Sequence, residues 1–160
     1  MDKVELSIVR YAIDLQHDRK VGKSWVSGDS VWAVFDGDEH RLENPDNWNN
    51  AMQIARSKKI ELAVSNPCFE LWYLLHFQDR AASLTRQDAE RLLRKHISDY
   101  RKNDILWPVP LELITSEAMR RAKKLAERAI ADESPEHNNP CTGVCNLVES
   151  LLELGKEIYR

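Results

Sequence analysis

Two apolar runs that each break on carboxylate-bearing turns constrain this chain more than any other feature. VWAVFDGDEH, residues 31–40, stops abruptly on Asp36 and Asp38. IELAVSNPCFELWYLLHF, residues 60–77, passes from a second strand-like run into an apolar helix that carries one acid, Glu70. About one helix-length of sequence lies between them. A strand–helix–strand unit of this kind closes with its strands parallel and their carboxyl ends on one edge. Asp36, Asp38, Asn66 and Glu70 then meet on one rim, and three acids there are the makings of a divalent-metal site.

The remaining segments predict helices. Val4, Ile8, Tyr11 and Leu15, with Ala12 beside them, fall on one stripe over 4–16. Residues 18–30 are polar and read as a loop. Asn44-Pro45 predicts a helix start, Trp48, Met52, Ile54 and Ala55 its apolar face, and Lys58-Lys59 its end. Asn66-Pro67 predicts an N-cap and a first-turn proline for a helix over 68–77, buried nearly all round. An amphipathic helix over 85–97 turns Leu92, Leu93 and Ile97 inward. A basic, alanine-rich helix follows over 115–132, capped by Thr115 or Ser116. The last helix runs over 142–159, capped by Thr142 or Asn139, after a linker-like stretch over 134–140. The fold class is α/β: a parallel sheet flanked by helices, with a helical C-terminal half. Two strands are too few for a self-sufficient sheet. Either a third hides in an irregular segment, or a partner completes the sheet, or N-terminal strands are missing.

A chain of 160 residues fits one domain. Its formal net charge of -3 argues against coating nucleic acid by bulk charge, but it leaves room for a nuclease with a local contact surface. No apolar run approaches the roughly 20 residues that span a bilayer, and the amphipathic N-terminus is unlike a signal peptide, so a cytoplasmic protein is expected. Cys68, Cys141 and Cys145 read as reduced thiols. The CxxxC spacing of the last two lacks the tighter knuckle and second pair of a zinc site.

Side chains at i and i+2 of a strand point the same way, so Asp36 and Asp38 project together if the backbone stays extended. Two such carboxylates repel unless a cation neutralises them. Magnesium or manganese does so with oxygen ligands and can activate water or polarise a phosphoryl group. Asp-Gly is also a common turn dipeptide, and DGD alone suits a surface turn as well. Glu70 is costly among apolar neighbours unless paired, hydrogen-bonded or bound to a cation. It is either a third acid of the site, as ligand or general base, or a glutamate satisfied by the helix end or an arginine. His76 lies roughly 240° around the helix from Glu70 and reads as a hydrogen-bonded core residue. His40 follows the acids closely enough to reach a leaving-group oxygen, or is a solvated loop histidine. Lys102, beside Arg101, either holds phosphate or favours a helix end. Arg120, Arg121, Lys123, Lys124 and Arg128 form a solvated face or a contact with a nucleic-acid backbone.

VWAVFDGDEH, AVSNPCFELWYLLHF, the Tyr100-x-Lys102 pair and NPCTGVCNLVESLL, in that order over 31–152, resemble the RloB family. The resemblance implies a TOPRIM-like domain encoded beside restriction–modification genes, often with an AAA-type ATPase partner. It further implies a role in phage defence by abortive infection and a metal-dependent nuclease activity. In that frame Asp36 and Asp38 match magnesium-binding acids, and Asn66, Glu70 and His76 belong to the second signature, with His40 closing the first. Gly37 stands where the family commonly has a bulkier, often basic residue. TOPRIM-like domains also carry a glutamate after an earlier strand, and Glu5, on a helix with no strand before it, is not its counterpart. The expectation is one RloB-like domain over 1–160, shortened at its N-terminus relative to the family and compatible with a homo-oligomer. Two readings follow. In one, a magnesium-dependent nuclease holds metal on Asp36 and Asp38, uses Glu70 as ligand or base, and engages phosphate through Lys102 or through Arg120 and Lys124. In the other, a non-catalytic adaptor of the same fold binds the ATPase or nucleic acid.

Overall fold

The two apolar runs are parallel neighbours in one small sheet. The structure, a computed structural model, describes residues 4–37, 39–102 and 114–158. In chain order the elements are α1 (Val4–Val21), β1 (Trp32–Asp36), α2 (Glu39–Glu43), α3 (Pro45–Lys58), β2 (Glu61–Asn66), α4 (Glu70–Leu75), α5 (Arg86–Leu93), α6 (Thr115–Ala131), β3 (Cys141–Thr142) and α7 (Val144–Ile158). β1 pairs with β2 from Trp32 opposite Glu61 to Asp36 opposite Ser65. β2 pairs on its other side with β3, antiparallel, through Ser65–Thr142 and Asn66–Cys141. The class is α/β as expected, but the sheet is mixed.

A third strand was indeed hidden in an irregular stretch. It is two residues long, too short to leave a period-two signature. Tertiary bonds define it instead. The Ser65 and Thr142 hydroxyls share a 2.8 Å hydrogen bond, and Gly143 N donates to Val64 O at 2.8 Å. A Cβ at Gly143 would lie 3.2 Å from Leu62 O and 3.3 Å from Ala63 Cα, all backbone, so glycine lets α7 begin directly against β2.

Alternation along the strands sorts the helices into layers. Ala33, Phe35 and Val64 join Trp48, Ala51, Met52 and Ala55 of α3 and Leu6, Val9 and Ala12 of α1 in one core. Ala63 joins the other core, with Leu71, Trp72, Leu74 and Leu75 of α4, Ala118, Ala122 and Leu125 of α6, and Val144 and Cys145 of α7. The sheet lies between them, and Asp36 has the parity of the α4 face.

Several local expectations change. α1 buries Leu6, Val9 and Ala12, while Tyr11 is 71% exposed and Leu15 also faces outward. Small residues win that face because α1 packs on α3 at Ala51 and Ala55, where bulk would hold the helices apart. Asn66 does not cap α4. It ends β2 and donates its Nδ2 to His137 O at 2.9 Å. α4 starts three residues beyond Pro67, behind Phe69, with no side-chain cap. α6 likewise has Ile114 at its cap position and no capping side chain. α5 ends at Leu93, and Ile97 is buried beyond it. Asn139 clips the backbone of Leu84 at both N–H and C=O, and Thr142 Oγ1 accepts from Val144 N at the start of α7. Cys141 lies in β3 and Cys145 in α7, and all three cysteines are free. Among the described residues no helix is long and apolar enough to cross a membrane.

The Asn44-Pro45 start is observed as predicted. Asn44 Oδ1 accepts from Asn47 N at 3.2 Å, and Lys59 closes α3 in the left-handed conformation at φ 56°. Asn44→Ala is expected to cost about 1 kcal/mol, the usual worth of an N-cap. A denaturant midpoint equal to the parent's would show that the cap contributes nothing here.

Candidate functional site

Asp36 closes β1, and its carboxylate reaches across to the turn before α4. Oδ1 accepts from Phe69 N at 2.9 Å. Oδ2 meets Arg86 Nη1 at 3.0 Å. The next residue, Glu70, is only 2% exposed. Its Oε1 accepts from the buried Tyr100 hydroxyl at 2.8 Å. Oε2 has no partner of ordinary hydrogen-bond geometry, although the Cys68 thiol is near enough to help hold the charge. The two carboxylates sense each other, and both sense the ammonium of Lys102. Strand end, helix start and the Tyr100–Lys102 segment thus converge on one rim.

The two acids are tuned in opposite directions. Burial pushes the Asp36 carboxyl above the ordinary aspartate range, and the neighbouring Glu70 charge adds to this. Arg86, the Phe69 amide and Lys102 oppose the shift without cancelling it. Burial also acts to raise Glu70, but hydrogen bonds from Cys68, Tyr100 and its own backbone, with Lys102, overcome it and leave Glu70 below the usual glutamate range. Environments that drive paired carboxyls apart in this way set one as the firm anion and the other as the readier proton carrier. Burial and the Glu70 charge push the Cys68 thiol upward, so it stays protonated.

Two further residues stand in the site that sequence reasoning did not place there. Arg86 occupies the first position of α5, where the helix dipole disfavours a cation. Its pairing with Asp36 accounts for it, and a base at a helix start was the available signal. Glu5, in the first turn of α1, is 3% exposed and shares with Asp36, Phe69 and Arg86 the wall of a groove of about 350 Å³. An acid inside the buried stripe of an amphipathic helix was the signal there. Glu5 therefore borders the acids.

The other expected residues scatter. Asp38 lies outside the described residues, and of His40 only the backbone, in α2, is described. A Cβ at Gly37 would stand 2.9 Å from Val64 Cγ1 and 3.2 Å from Trp48, so Trp48 and Val64 fill the space that a larger residue there would need. Asn66 is on the rim but spends its amide on His137 O. His76 is a satisfied core histidine: Nδ1 bonds Trp72 O at 3.0 Å, and burial holds it below the usual imidazole range. On α6, Arg120 pairs with Glu117 at 2.9 Å and Lys123 with Glu149 at 2.7 Å. Arg121 donates to the Leu75 and His76 carbonyls, at the far end of α4 from Glu70. Lys124 is exposed.

These donors suit a hard cation. Among the described residues no three acids, histidines or cysteines gather as a metal cluster. Two carboxylates on one rim, one with a buried oxygen lacking a conventional donor, still match magnesium, which takes one or two carboxylates and fills its shell with water. The Cys68 thiol beside them is held protonated by burial, and His76 gives its Nδ1 to Trp72 O.

The chain matches no curated protein and no solved structure. The residues that build the rim, from Glu5 to Lys102, all lie within residues 2–151, which match the family model described as RloB-like protein, and the chain belongs to that family.

Proposed function

We propose that this chain is a metal-dependent nuclease domain that hydrolyses phosphodiester bonds of nucleic acid at the Asp36–Glu70 rim, in phage defence and with an AAA-type ATPase partner. The observation that carries the reading is Glu70: a buried acid held ionised, with one oxygen open, beside a second carboxylate and two cations. Burying such a charge is costly, and folds keep one where it has work to do or a partner to meet. Glu70 and Asp36 would hold magnesium or manganese there, and the ion would supply the charge for activating water and polarising a phosphoryl oxygen. Glu70 stays anionic as ligand, held by Tyr100. Asp36, whose carboxyl protonates more readily, is the group suited to take a proton from attacking water. Asp38, matched by the family resemblance, contributes a further oxygen. Arg86 and Lys102 neutralise charge as the phosphate approaches.

Asp36→Asn tests the site. Purified parent and variant are compared on DNA and RNA with magnesium or manganese, and the variant is expected to lose cleavage while melting no lower than the parent. That second expectation follows because the native surroundings already disfavour the Asp36 charge. Undiminished cleavage by Asp36→Asn would remove the proposed site.

One observation favours a second reading, a non-catalytic adaptor. Both oxygens of Asp36 are taken by the protein itself, one by the Phe69 amide and one by Arg86, so the guanidinium supplies charge that a metal would bring. Calorimetric titration separates the two: an adaptor binds nucleic acid or the ATPase and takes up neither magnesium nor manganese.

A further inference from the structure

The groove beside the acids does not end at Arg86. Arg86 also forms part of the wall of a second groove, of about 380 Å³, which Arg41 lines as well. Arg41 is shared in turn with a third, of about 280 Å³, lined by Arg56 and Trp48. Arg86, Arg41 and Arg56 thus mark one path leading away from Asp36, across the turn after β2 and along α2 and α3. Arg41 spends a donor on a neutral group, the His137 carbonyl, and makes no ion pair among the described residues. Its guanidinium keeps most of its donors, and its charge is offset in part by the more distant Glu136. Arg56 is partly offset by Glu136. The middle groove also presents Leu42, 84% exposed, with Leu84 and the amide groups of Gln87 and of Asn66, whose Nδ2 is already given to His137 O.

We propose that this path seats a single-stranded polynucleotide, its phosphates on Arg86, Arg41 and Arg56 and its bases against the Leu42–Leu84 floor and the amides. The substrate class rests on the nuclease reading above, but the binding claim stands without it. Arginine is the residue suited to phosphate, because its fork gives two parallel bonds. An apolar floor with amides at its edge serves exposed base faces and edges, which a duplex keeps stacked and paired. Grooves of a few hundred cubic ångströms match small-ligand pockets and admit one strand. On α6, Arg120, Arg121 and Lys123 are likewise engaged with carboxylates and carbonyls, and no α6 residue lines any of the three grooves.

Fluorescence anisotropy of the full chain with short labelled oligonucleotides, in EDTA so that cleavage does not intervene, tests the path. Single strands are expected to bind more tightly than the matching duplex. Arg41→Ala should weaken single-strand binding about tenfold and flatten the salt dependence by about 0.7 in log–log slope, the value of one phosphate contact. Leu42→Glu places a negative charge in the groove at an exposed position that the fold does not use, and it should weaken binding in a protein that melts like the parent. Arg120→Ala with Lys124→Ala should change little. Parent-like binding by both Arg41→Ala and Leu42→Glu would overturn the proposal. So would a loss confined to the α6 pair, equal affinity for duplex, or no binding at all. Weakened binding by the path variants in a protein that never cleaves would uphold the path and remove the nuclease reading instead.

Discussion

Glu70→Gln is expected to leave the chain folded and to cut metal-dependent cleavage by about a thousandfold, the scale on which single charge-stabilising groups act in active sites. Glutamine keeps the shape and an oxygen to accept from Tyr100, but it presents an NH₂ where Oε2 now stands open. The same change alters acid sensitivity. The Glu70 carboxyl is held below its ordinary 4.5, so folding favours the ionised form. Its contribution is complete above pH 4.5 and is lost as the pH falls from there through the native value. Urea midpoints measured across the acid range should therefore fall more steeply for the parent than for Glu70→Gln below pH 4.5. Parallel curves, with cleavage at the parental rate, would strip Glu70 of both roles.

Leu71→Ala is expected to remove about 3 kcal/mol of stability, within the range seen for truncating a fully buried leucine. Domains commonly hold 5–15 kcal/mol in total, so the loss is a large share. Leu71 has no exposed surface and packs among Trp72, Leu74, Leu75 and the small residues of α6. α4 is six residues long, roughly 9 Å, too short to persist by its own hydrogen bonds. Packing holds it, and packing therefore positions Glu70. Cleavage should fall with stability in this variant, whereas Glu70→Gln separates them. A denaturation shift worth less than about 1 kcal/mol would show that this core closes around the gap.

The parallel pair and the convergence of Asp36 with Glu70 were legible because strand grammar is local. A β-branched run, a helix start with proline and a second run leave few ways to close. Asn44 and Lys58-Lys59 were legible for the same reason. What escaped depends on neighbours distant in sequence. Cys141 and Thr142 are a strand because Ser65 and Asn66 bond to them. Asn66 reads as a helix cap until His137, 71 positions on, takes its amide. Tyr11 looked like core because its spacing was right, but the α1–α3 approach selects small side chains. Arg86 carries no motif of its own, and only the folded chain brings its guanidinium and the Tyr100 hydroxyl to the acids.

β3 also bears on the order in which the chain assembles. Ser65 and Thr142 are 77 positions apart, and the bond between them closes on a strand of two residues. Closing so long a loop carries an entropic cost that so short a ladder repays only after α4, α6 and α7 have already gathered. The parallel pair, its strands separated only by α2 and α3, has no such wait. Folding should thus proceed from the first half toward the second, with the clasp across Ser65 and Thr142 set late. A nascent chain would then carry a finished β1–β2 pair while the edge beside Asn66 was still unfastened.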